Sequence, residues 1–128
     1  MQVKFGRELG NLTLVAVHTI RPPHYRAHFK QIGALASAIN AVKGKKVVMG
    51  DFNSTPFSRT LNTFTKRTRL KRLTDTPTWP AQFGGLPQVA IDHIFVSPVL
   101  KTLSPHRLGN NSGSDHFPVS VVVAVPLN

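Results

Sequence analysis

Apolar residues follow two rhythms along this chain, and the switches between them outline its elements. Val3 to Phe5 and Leu12 to Thr19 read as strands joined by a turn through Glu8, Gly10 and Asn11. Leu12 to Val17 is almost continuously apolar, as in a strand covered on both faces. Arg21-Pro22-Pro23 breaks that run. From about His24 to Val42, Phe29, Ile32, Leu35, Ala36, Ile39 and Val42 recur at spacings of three and four, which predicts an amphipathic helix ended by Gly44. Lys46 to Met49 is a short buried strand running into Gly50-Asp51-Phe52-Asn53. Ser54 or Thr55 before Pro56 signals a helix start, with Phe57, Leu61 and Phe64 on one face and Lys66, Arg67, Arg69, Lys71 and Arg72 at its end. Residues 74–88, rich in Thr, Pro and Gly, predict a long loop around Trp79. Ile91 to Val96 and Pro118 to Val125 read as strands, separated by the polar, turn-rich segment from Gly109 to Ser114. Strands and helices interleaved in this way predict an α/β fold.

Length and composition narrow the class. A chain of 128 residues fits one domain and buries roughly two-thirds of its unfolded surface. Hydrophobic residues make up 41%, too many for a disordered chain. No apolar run approaches the ~20 residues that span a bilayer, and no charged-then-apolar leader opens the chain. Neither a transmembrane protein nor an uncleaved secretory precursor is therefore expected. Cysteine is absent, which excludes disulfide scaffolds and thiolate metal sites. Sixteen Lys and Arg against five Asp and Glu give a net charge of +11, which favours anionic partners such as nucleic acid, phosphorylated substrates or acidic membranes.

The five acids are Glu8, Asp51, Asp75, Asp92 and Asp115, and three of them stand at the edges of apolar runs. Asp51 and Asn53 lie two apart just after a buried strand, so a carboxylate and an amide project together from its carboxyl end. The alternative is a plain turn, since Asp, Asn, Ser and Pro all favour turns. Asp92 opens the strand Ile91 to Val96 and shares a face with Ile94 and Val96. A carboxylate among apolar neighbours needs a partner. Histidine is an apt one, because a carboxylate on one ring nitrogen fixes the tautomer and raises the basicity of the other. His116, beside Asp115 and before Phe117-Pro118, is the candidate. His93, on the opposite face, is expected to be structural. His18 closes the first long strand, at the same kind of rim as Asp51.

Gly50-Asp51-Phe52-Asn53, Ile91-Asp92-His93-Ile94-Phe95-Val96-Ser97 and Ser114-Asp115-His116-Phe117-Pro118-Val119 together resemble the three carboxyl-terminal motifs of the endonuclease/exonuclease/phosphatase superfamily, the DNase I-like phosphoesterases. Their separations of 41 and 23 residues, with a histidine-ended strand upstream, carry the resemblance from about Leu12 onward. The resemblance implies one mixed β-sheet with helices on one face, half of a four-layer α/β sandwich. It implies hydrolysis of phosphate esters with Mg²⁺ or Mn²⁺. Asp51 would position or deprotonate the attacking water, and Asn53 would donate to a phosphoryl oxygen. Asp92 and His116 would form an orienting dyad, with His116 acting as general base or as a stabilising cation. Asp51, Asp115 and His116 would hold the metal, and His18 would contact phosphate. Trp79 is the remaining substrate-binding candidate, stacking on a base or dipping into a lipid interface; a half-buried packing role is the alternative.

Members of that superfamily are typically about twice this long, and their amino-terminal half supplies an Asn and a metal-binding Glu. Residues 1–128 correspond to the carboxyl-terminal half. Glu8 lies in a turn and does not replace the missing ligand, so the isolated chain is expected to be weakly active or inactive. One sheet face is expected to lack helices, and self-association through it follows. A rival reading is a non-catalytic basic module for nucleic acid or anionic lipid, resting on the +11 charge and the run Lys66 to Arg72. That run is also what a solvated helix end carries. The Thr78-Trp79-Pro80 loop is similar to that of bacterial members with amino-terminal membrane helices and an external catalytic domain, and the compartment of the parent protein, the bacterial cytoplasm or the periplasmic side of a membrane, stays open.

Overall fold

The computed structural model describes residues 1–82, 89–104 and 107–126. Residues 83–88 of the predicted Thr/Pro/Gly-rich loop lie outside the described residues. Five strands form the main sheet: β1 (Gln2–Lys4), β2 (Thr13–His18), β3 (Lys46–Asp51), β4 (Lys71–Arg72) and β5 (Asp92–Val96), in the spatial order β1-β2-β3-β5-β4. β2 and β3 are parallel, and every other pair in this sheet is antiparallel. The parallel pair is joined through α1 (Tyr25–Ala41), which together with α2 (Arg59–Thr68) lies on one sheet face. This is the mixed sheet with helices on one face that the motifs imply.

Alternation along the strands sorts the core into two layers. On the helix side, Ile32, Ala36 and Ile39 of α1 and Leu61 and Phe64 of α2 close over Val48, Phe52 and Phe95. Phe52, Phe64 and Phe95 pack ring to ring at 5.1–5.3 Å. On the other side, Val47, Ile94, Val96 and Leu100 are buried, and Leu14, Met49, Val119, Val121, Val123 and Val125 are half-buried around them.

Two elements differ from the sequence expectation. The second helix begins at Arg59, not at Pro56, because Ser58 is the residue that caps it, its Oγ accepting from the Leu61 N–H at 3.1 Å. Phe57 consequently precedes the helix and is 90% exposed instead of joining the face of Leu61 and Phe64. Pro118 to Val125 is not one strand of the main sheet. It forms two short pieces, β8 (Val119–Ser120) and β9 (Val123–Ala124), which pair with β7 (Arg107–Leu108) and β6 (Lys101–Thr102) respectively. Its valines cover part of the helix-free face, so that face is not bare. β2 is correspondingly only half-buried along most of its length.

Candidate active site

The register of the sheet creates the site. His18 ends β2 opposite Asp51, which ends the parallel strand β3. β5 runs antiparallel to β3, so its first residue, Asp92, pairs with Asp51 on the same rim. Three strands thus deliver an imidazole and two carboxylates to one edge, although Asp92 begins its strand while the others end theirs. Gly50 makes this approach possible. Its φ is 138°, and a Cβ there would stand 2.0 Å from the Val17 carbonyl oxygen.

Beyond Asp51 the chain turns sharply. Asn53 takes φ 45°, a left-handed conformation that Asn tolerates. Its backbone N–H donates to Asp51 Oδ1 at 2.7 Å, and its Nδ2 donates to Thr19 O at 2.7 Å and to Asp51 Oδ2 at 3.2 Å. Both amide hydrogens of Nδ2 are therefore engaged, and Asn53, which is buried, orients the Asp51 carboxylate. Donation by Asn53 to a phosphoryl oxygen would exchange the longer of these bonds.

His116 Nδ1 donates to Asp92 Oδ2 at 2.7 Å, and one ligand atom each from Asp51, Asp92 and His116 lies within 4.8 Å of the others. A hard divalent ion bound at about 2.1 Å spans donors up to ~4.2 Å apart, so two carboxylates and a ring nitrogen at this spacing fit one with small side-chain adjustment. His18 Nε2 stands 3.8 Å from Asp51 Oδ2, on a side chain that is 80% exposed. Burial pushes the Asp51 carboxyl above its ordinary range; the Asn53 N–H opposes this, the Asp92 charge adds to it, and His116 and His18 oppose it.

All these groups line one cleft of about 840 Å³, together with Asn53, Asp115, Arg21, Tyr25 and Trp79. Asp115 is exposed on its wall, outside the three-residue donor cluster. Trp79 is 38% exposed, half in the packing and half in the cleft. His93 is fully buried beneath Phe52 and Phe95, its Nε2 donating to Ser54 O at 2.8 Å. Burial pushes this imidazole below its usual range, with the Ser54 and Thr74 carbonyls opposing.

Two supporting residues escape sequence reasoning. His28, buried on α1, points its Nε2 at Phe52 O at 3.0 Å and so ties the helix to the Asp51 turn. Thr78, fully buried in the loop, accepts from the backbone N–H groups of Ile91 and Asp92 at 3.4 Å each, while its own carbonyl accepts from Phe117 N–H at 2.9 Å. Further along this strap, Ala81 N–H donates to Asp115 O at 2.8 Å. The loop thereby brackets both halves of the Asp92–His116 pair. The helical spacing that places His28 on the buried face was its one available signal; Thr78 had none beyond its place in a long loop.

Comparison with known proteins bears on the family and the fold. The Endonuclease/Exonuclease/phosphatase family matches residues 2–116. Among solved structures, a functionally unknown conserved protein from Enterococcus faecalis V583 superposes with a TM-score of 0.73 at 17% identity, over 90% of this chain and 50% of that one. An endonuclease/exonuclease/phosphatase from Bacteroides vulgatus gives 0.68 at 21% identity, over 90% and 50%. The mannosyl-6-phosphatase Bt3783 of Bacteroides thetaiotaomicron gives 0.63 at 18%, over 88% and 50%. At these identities the likeness is one of fold, and the chain spans about half the length of the structures it matches. No curated protein matches it significantly.

Proposed function

The chain belongs to the endonuclease/exonuclease/phosphatase family, and on that footing we propose that it carries the water-activating part of a metal-dependent phosphate-ester hydrolase. The observation behind this reading is the convergence of Asp51, Asp92 and His116 within 4.8 Å, on a cleft that also holds His18 and Asn53. A mannosyl-6-phosphatase among the structures of similar fold supports a phosphoesterase in the general sense.

In this reading Asp92 fixes the His116 tautomer by accepting from Nδ1, which leaves Nε2 free to take a proton from water or, once protonated, to face a phosphoryl oxygen. Asp51, oriented by Asn53, positions the attacking water, and His18 contacts the phosphate. The Asp51 and Asp92 carboxylates, brought together beside His116, would hold Mg²⁺ or Mn²⁺, which would supply charge neutralisation and a more acidic water. Asp115, expected as a ligand from the sequence, lies outside that cluster, and His116 serves here as base and not as ligand. The metal-binding Glu of the family's amino-terminal half has no counterpart among these residues, so the chain alone is expected to turn over slowly.

Hydrolysis of bis(p-nitrophenyl) phosphate and of p-nitrophenyl phosphate, titrated with Mg²⁺ and Mn²⁺, tests the proposal. Expected is metal-dependent release of nitrophenolate that disappears with chelator and in Asp51→Ala and His116→Ala, but survives Lys71→Gln. Salt-sensitive nucleic-acid binding without turnover, even with the amino-terminal half supplied, would overturn it in favour of a basic binding module.

A further inference from the structure

The five acids of this chain are all outside its helical layer. No Asp or Glu occurs between Glu8 and Asp51 or between Asp51 and Asp75, so α1, α2 and the segments leading into them carry cations only. Arg21, Arg26, Lys30 and Arg59 are exposed there, and Arg21 lines the cleft. Interleaved with them are large apolar side chains turned to water: Ile20 and Phe29 are each 38% exposed, Tyr25 53% and Phe57 90%. These groups belong to one rim. Ile20 N–H donates to Gln31 of α1 at 2.8 Å, and the Tyr25 and Phe29 rings lie 6.2 Å apart. Tyr25 itself lines the cleft, and Phe57 directly precedes Ser58, which lines it too. Trp79 completes the wall.

We propose that this rim is a docking surface for an anionic lipid bilayer. Aromatic side chains beside Lys and Arg, on helices and lead-in segments that carry no carboxylate, match the bilayer interface, where rings settle at headgroup level and cations meet the negative surface potential. The acids of the cleft, Asp51, Asp92 and Asp115, lie on other segments. Each cation near such a surface strengthens partition about fivefold. A nucleic acid fits less well. Its phosphates are met by the cations, but Ile20 offers nothing to a base, and a Phe held almost wholly in water forms no stacking groove. The proposal goes beyond hydrolysis and does not depend on turnover.

The single tryptophan of the chain, Trp79, is a built-in reporter. Its fluorescence is followed during titration with vesicles of phosphatidylcholine containing roughly 30% phosphatidylserine, against pure phosphatidylcholine. Expected is a blue shift with the anionic vesicles only, weakened by salt, and about tenfold weaker binding in Phe57→Ser, with thermal melting unchanged. Absence of binding to the anionic vesicles overturns the proposal, as does binding indifferent to Phe57→Ser. Tighter binding of a single-stranded or duplex oligonucleotide, displacing the vesicles and losing strength in Phe57→Ser, also overturns it and assigns the rim to nucleic acid.

Discussion

Asp51 is held above its ordinary pKa because burial disfavours its charge, so the ionised form costs the folded chain stability. A carboxyl raised in this way leaves stability intact below the usual carboxylate range and erodes it as pH rises through the folded pKa. Asp51→Asn is therefore expected to weaken that pH dependence in thermal melts while reducing phosphoester turnover about 10²–10⁴-fold in the nitrophenyl assay. His93 has the opposite shift and a different consequence. Its folded pKa lies below the 6.5 of an unperturbed imidazole, so the unfolded chain takes up the proton first. Its contribution is complete above about pH 6.5 and is lost as pH falls toward the folded value. Urea unfolding between about pH 5 and 7 should show stability falling with pH, and His93→Gln should flatten that slope. Asp51, Asp92 and His116 were legible in the sequence because a charge at the edge of an apolar run violates the pattern around it. His28 and Thr78 satisfy backbone groups, which leave no mark on a sequence, so their roles emerge only in three dimensions.

Asp92 and His116 come from segments that share no strand pairing, yet they meet at 2.7 Å. What spans the gap is the loop from Thr74 to Ala81. Thr74 Oγ1 accepts from Ile94 N–H at 2.9 Å, and Thr78 reaches the start of β5 with its hydroxyl and Phe117 with its carbonyl. Thr78→Val keeps the shape and the carbonyl but removes the acceptor facing two partly buried N–H groups. It is expected to cost about 1–2 kcal/mol in urea unfolding and to broaden or abolish the downfield His116 Nδ1–H proton signal in NMR, while Thr78→Ser retains both. The sequence indicated that this loop was long and so a place for function, but not that it is a bracket. It was also misleading about the carboxyl-terminal segment. Eight residues of valine-rich pattern from Pro118 to Val125 fit a single strand, whereas β8 and β9 pair with different partners. Local pattern records that alternate residues are apolar; it holds no information about which edge they meet.

Across the whole molecule, two surfaces of opposite character compete for partners. One is the cationic helical layer. The other is the helix-free face of the sheet, which the valines of β8 and β9 cover in part. Beside them a groove of about 580 Å³, lined by Ala16, Val17, Met49, Ile94 and Val119 among others, stays open. Val122 and Leu103 are 55% and 65% exposed nearby. Apolar surface of this kind favours association, and self-association through this face remains the expected outcome. The net charge of +11 on each copy opposes it, because two like-charged bodies repel over about a Debye length, roughly 10 Å at 0.1 M salt and 30 Å at 0.01 M. Salt therefore acts in opposite directions at the two faces: it weakens contact with anionic partners and relieves repulsion between copies. Light scattering at micromolar concentration should give a mass near the 14.1 kDa monomer at low salt and rise toward a dimer as salt is added. A monomer mass at every salt concentration would mean that the β8 and β9 segment already shields this face well enough for the chain to remain alone.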